Sequence, residues 1–176
     1  MVDQFVFWED PKNKILTKNL FSEIAENSAK KVIKAEKMSE KDRANANNPT
    51  QIRKFFDEIV SIEAKFKSSI KDGSDENRKL AFKQHLPYIY MLLPKAKYAE
   101  ARKLISPEFT ELLDIAINNV KEPDDIKVLV SFFEAFIGYF KYEKVKNDNL
   151  RKSNFSQGRS FSNANNVKRE YDRRKF

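Results

Sequence analysis

From Val128 to Phe140 the chain reads VLVSFFEAFIGYF, apolar nearly all the way round a helical wheel. A helix without a polar stripe has to be enclosed by other elements, so this segment is predicted as the buried centre of a helical bundle. Pro123-Asp124-Asp125 marks its start, with proline at the first helical position and acids that complement the positive end of the helix dipole. The helix is expected to reach about Lys146. Gly138 inside it costs ~1 kcal/mol against alanine, which points to a place where another helix packs closely.

The rest of the chain supplies partners for that centre. Leu16, Leu20, Ile24 and Val32 fall at multiples of four and predict a helix over Leu16–Met38, followed by the polar link SEKDRANANN. Asn48 as cap, Pro49 at the first position and Gln51 three residues after the cap open the next helix, whose apolar face is Ile52, Phe55, Phe56, Ile59, Ile62 and Phe66. Lys71-Asp72-Gly73 ends it. Ser74 caps a helix running towards His85, and Pro87 is expected to bend or restart it. Pro94 opens a short helix carrying KAKYAEAR, and Ser106-Pro107-Glu108 begins another over Pro107–Val120. With 3 Gly and 6 Pro in 176 residues, few turns are available. The predicted fold class is all-α, a compact bundle of five to six helices over residues 1–147, with no internal repeat.

Residues 148–176 differ in kind. Eight basic residues against three acidic leave +5 of the chain's net +8 there, amid Ser, Asn and Gln. Phe155, Phe161, Tyr171 and Phe176 show no helical period, so a basic tail disordered in isolation is expected.

Catalytic chemistry finds little to work with. His85 is the single histidine, and Cys is absent, which excludes disulfide frameworks, zinc–thiolate sites and a His-dependent triad with a spare ligand. Gly73, Gly138 and Gly158 stand alone, so no glycine-rich phosphate loop forms. A helix-end or packing role suits His85, and Asp124-Asp125 suit the helix dipole better than a cation. No catalytic residue, metal, cofactor or small-molecule substrate is expected. No apolar run approaches the ~18–20 residues that cross a bilayer, and the start MVDQFVFWED lacks the basic and apolar regions of a signal peptide. A soluble, cytoplasmic protein with no membrane partner is expected.

Net positive charge favours polyanions, nucleic acid first among them. On the helices, Arg53 and Lys54 follow a helix start on the side away from Ile52, Phe56 and Ile59, while Lys95, Lys97 and Arg102 flank Tyr98. Phosphates are held near helix N-termini by side-chain charge and free backbone N–H groups together. An ordinary solvated face accounts for the same residues equally well.

Three blocks decide between these readings by resemblance. TQIRKFFDEI (Thr50–Ile59), KAKYAEAR (Lys95–Arg102) and FFEAFIGYFKY (Phe132–Tyr142) resemble, in order and spacing, conserved blocks of the small subunit of Csm complexes, the type III-A CRISPR effectors. The likeness covers roughly residues 50–144; Gly138 stands where the family often has Ala. It implies a prokaryotic, non-catalytic helical bundle, present in several copies that stack as a filament beside the backbone subunit and near the large subunit, in antiviral defence. It further implies sequence-independent contact with the phosphates of crRNA and target RNA. Carried onto this chain, the RNA-facing set is Arg53, Lys54, Lys95, Lys97 and Arg102, with Lys141 a weaker member. Because base pairing reads the sequence, such a protein needs only to hold A-form geometry and charge. Tyr98 is able to stack on a base, though the Ala-rich helix around it argues rather for core packing, and Arg102 has a rival partner in Glu134. The alternative is a structural adaptor that builds the filament by protein–protein contacts, with only incidental RNA binding. In that reading Phe132, Phe136 and Tyr139 act through assembly.

Overall fold

In the computed structural model of the chain, residues 2–36, 46–70, 72 and 74–173 are described, 151–173 as backbone. Most of the polar link SEKDRANANN, Lys71 and Gly73 of the expected helix stop, and the tail's side chains lie outside the described residues. The elements are β1 (Trp8–Asp10), β2 (Ile15–Leu16), a π-helical turn (Leu20–Ile24), α1 (Ala25–Glu36), α2 (Pro49–Ser69), α3 (Asp75–Tyr90), α4 (Leu92–Ala101), α5 (Pro107–Asn118) and α6 (Pro123–Arg173). The chain divides into two units, Met1–Lys141 and Tyr142–Phe176.

The helix starts follow the cap chemistry. The Asn48 side chain accepts the Thr50 N–H at 3.0 Å with Pro49 behind it. Ser74 accepts from Asn77 at 3.3 Å, and Ser106 from Phe109 at 3.4 Å. Each cap satisfies a donor that the first turn of a helix leaves without a partner.

The core of the first unit is built on phenylalanine. Phe132, Phe133, Phe136 and Phe140 are fully buried, while Glu134 and Gly138 between them are exposed, so this stretch is not enclosed all round as expected. The Phe109 ring lies 5.5 Å from Phe55, 6.5 Å from Phe133 and 5.9 Å from Phe136, which ties α2, α5 and α6 together. Phe132 and Phe136 therefore serve the protomer's own interior, and contacts for assembly have to come from other surface. Gly138 is exposed, and a Cβ there would meet nothing within 4 Å. The close helix approach expected at Gly138 is absent, because α6 turns that position away from the core.

Several boundaries differ from the expected ones. Leu16 belongs to β2 instead of a helix, and the helical run begins only at Leu20. Asp10 makes the turn between β1 and β2: its carboxylate accepts the N–H groups of Lys12 at 3.0 Å and Asn13 at 3.1 Å. α3 runs through Pro87 to Tyr90 and does not restart there. The lost hydrogen bond would have gone to Lys83, an exposed residue whose carbonyl can turn to water. α6 continues past Lys146 to Arg173, where no proline interrupts the backbone.

The first residues are part of the core. Val2, Phe5 and Phe7 are buried, and the Phe5 ring lies 4.8 Å from that of Phe132. Asn119 holds this segment: its Oδ1 accepts the Phe7 N–H at 3.2 Å, and its Nδ2 donates to the Phe5 carbonyl at 3.1 Å. Asp125 accepts from Trp8 Nε1 at 2.6 Å and from the N–H groups of Lys121 and Glu122, both at 2.7 Å. Asp124 pairs with Arg78 at 2.5 Å and with Lys14 at 3.6 Å. Both acids at the start of α6 are thus engaged in structure.

Candidate nucleic-acid interface

A helix places side chains about 100° apart, so the buried positions fix where every other residue looks. On α4, Leu92, Ala96 and Ala99 are buried. Met91 at its cap and Lys95, Tyr98 and Arg102 then form one exposed flank at spacings of four, three and four. Lys97 lies about 160° round the helix from Lys95, so it points away from that flank.

On α2 the buried line is Ile52, Phe55, Ile59, Ile62 and Phe66. Lys54, Glu58, Ser61, Lys65 and Ser68 make a polar flank beside it, again at helical spacing. The two flanks meet where Lys95 of α4 forms an ion pair with Glu58 of α2. This contact brings Lys54, one turn before Glu58, to the same side as Lys95 and Arg102. Arg53 is exposed about 100° round from Lys54, with its Nε 3.7 Å from Asp57. Lys141 is exposed on α6, and no contact joins it to the others. Lys97 sits 3.6 Å from Glu100. The sequence-derived set therefore divides into a shared face of Lys54, Lys95 and Arg102, and three residues outside it.

Tyr98 is 64 % exposed, so it is a surface residue and not part of the core. Alanines on the opposite side of α4 do the packing, which leaves the ring in solvent. Arg102 lies over that ring, its guanidinium carbon 5.5 Å from the centroid and an N–H 3.4 Å from the hydroxyl. Glu134 is not its partner. Such a cation–π pair holds Arg102 extended along the helix.

Free backbone donors do not contribute. At α2 the N–H groups of Thr50, Gln51 and Ile52 all bond to Asn48, and Pro49 has none. α4 continues from α3 through Met91, and Pro94 in its first turn lacks an N–H. Any phosphate at this face would meet side chains alone.

The flanks enclose a groove of about 580 Å³ whose lining includes Glu58, Lys65, His85, Tyr88, Met91 and Lys95. Lys65 and Tyr88 escaped the sequence reading; only the pairing of α2 with α3 sets them opposite one another. His85 sits inside α3, its Nδ1 donating to the Ala81 carbonyl at 2.8 Å, and its ring is 6.2 Å from those of both Phe66 and Tyr88. Among the described residues no group of three or more His, Cys, Asp and Glu is placed to hold a metal, and no helix is long and apolar enough to cross a membrane.

A family model described as Csm2 Type III-A matches residues 23–146. The chain belongs to the Csm2 family. It is a small subunit of a type III-A Csm complex, and its partners are the other subunits of that complex. The match to Csm2 extends upstream of the three sequence blocks to residue 23, taking in α1. The hairpin and the buried N-terminal segment precede it. No curated protein and no solved structure matches the chain.

Proposed function

We propose that this Csm2-family subunit binds the backbones of crRNA and target RNA without sequence preference, as a non-catalytic part of the effector filament. The support is the Lys95–Glu58 ion pair, which sets Lys54, Lys95 and Arg102 from two separate stretches of sequence on one exposed face. Lysine and arginine on rigid helices suit a ligand recognised by phosphate spacing, and base pairing supplies the specificity. Arg53, Lys97 and Lys141 extend the positive surface to either side. Contacts with the backbone subunit, the large subunit and further copies of the chain complete the reading.

The test compares Lys54→Glu/Arg102→Glu with Arg53→Glu/Lys97→Glu in gel-shift assays on a non-cognate single-stranded RNA, at about 50 and about 200 mM salt. Loss of two phosphate contacts lowers the log–log salt slope by about 1.4. The first variant is expected to show that change for unrelated RNA sequences alike, and the second a smaller one. If both variants bind as the wild type does, the helices are not the RNA surface and the adaptor reading takes over.

A further inference from the structure

The groove between α2 and the α3–α4 corner holds more than phosphate chemistry. Lys65 stands on the α2 wall and Lys95 on the other, each exposed at the rim. Between them Tyr88 presents an aromatic ring that is 62 % exposed, beside the partly buried His85. A volume of about 580 Å³ falls within the range of small-ligand sites.

Resting on the RNA reading above, we propose that this groove takes one unpaired nucleotide of a single-stranded RNA, with the base stacked on Tyr88 and its flanking phosphates at Lys65 and Lys95. An exposed tyrosine between two lysines offers a π-face and two point charges, the combination that binds single strands irrespective of base. A duplex keeps its bases stacked on one another, so Tyr88 distinguishes an unpaired strand from a paired one. Glu58 opposes the phosphate, because it holds Lys95 in an ion pair that RNA has to displace.

The experiment measures fluorescence anisotropy of the full chain with a short single-stranded RNA, the same RNA carrying abasic positions, and its duplex. Stacking of one base is expected to favour the intact single strand over the abasic one by about tenfold. Tyr88→Ala removes that preference and leaves abasic binding unchanged, whereas Tyr88→Phe keeps it. Glu58→Gln frees Lys95 and tightens binding to both strands, an effect that a merely structural residue would not give. Equal, salt-sensitive binding of intact and abasic RNA overturns the nucleotide groove and leaves the phosphate reading standing. Absence of RNA binding altogether overturns both. If Tyr88→Ala impairs co-assembly with the other subunits while the preference for intact RNA persists, the groove belongs to a protein partner.

Discussion

Asp125 shows how much one buried side chain organises here. At 2 % exposure its carboxylate receives three donors, the Trp8 indole and two backbone N–H groups that precede α6. Replacing it by alanine leaves those donors without a partner inside the protein, and Asp125→Ala is expected to cost about 3 kcal/mol. Urea unfolding measures this directly, followed by the fluorescence of the single tryptophan, Trp8. Asp125→Asn keeps one acceptor oxygen and should lose less. At this scale the sequence was informative about chemistry and less so about direction. The pair Asp124-Asp125 was legible as helix-start acids, but the Trp8 bond spans 117 residues and leaves no local trace. Tyr98 was misread for the same reason: an Ala-rich helix has a buried side, and only neighbouring helices decide which side that is.

Among the elements, α3 carries a pH-sensitive start. Asp72 lies just before it, and its carboxylate accepts from the Asn77 side chain at 2.7 Å and the Ser74 N–H at 3.0 Å. Those bonds, with Asn77 the largest cause, lower its pKa from 3.8 to about 2. The folded-state value lies below the unfolded one, so the contribution is complete above about pH 4 and is lost as pH falls through about 2. The protection of the Ser74 amide, corrected for intrinsic exchange, should fall over that window before the bundle melts, and Asp72→Asn should remove that fall. Caps such as Asn48, Ser74 and Ser106 were readable because cap chemistry is local. The β1–β2 hairpin was missed although Asp10-Pro11-Lys12-Asn13 is a turn signal, since the four-residue spacing of Leu16, Leu20 and Ile24 outweighed it. The groove was out of reach: Lys65 and Tyr88 are ordinary surface residues until α2 pairs with α3.

For the whole molecule, the matched family region and the folded core have different limits. Residues 1–22 precede the match, yet Val2, Phe5, Phe7 and Leu20 are buried in the core. Losing four such side chains at about 2–5 kcal/mol each is comparable with the whole stability of a domain, about 5–15 kcal/mol. A chain starting at residue 23 should therefore lack a cooperative thermal transition in near-ultraviolet circular dichroism. The bundle class and the buried side of Val128–Phe140 were visible in the sequence; the exposed side that carries Glu134 and Gly138 was not, because neither residue interrupts the apolar run enough to mark it.

The N-terminal segment also sets a timetable for synthesis. Thr17 and Lys31 meet it early, but Glu111, Asn119, Asp125 and Phe132 are made late. At about 5–20 residues per second, the 117 residues between Trp8 and Asp125 take roughly 6–23 s to translate. Throughout that interval Phe5 and Phe7 lack the Phe132 ring they pack against. A growing chain therefore cannot close its core until the start of α6 has been made.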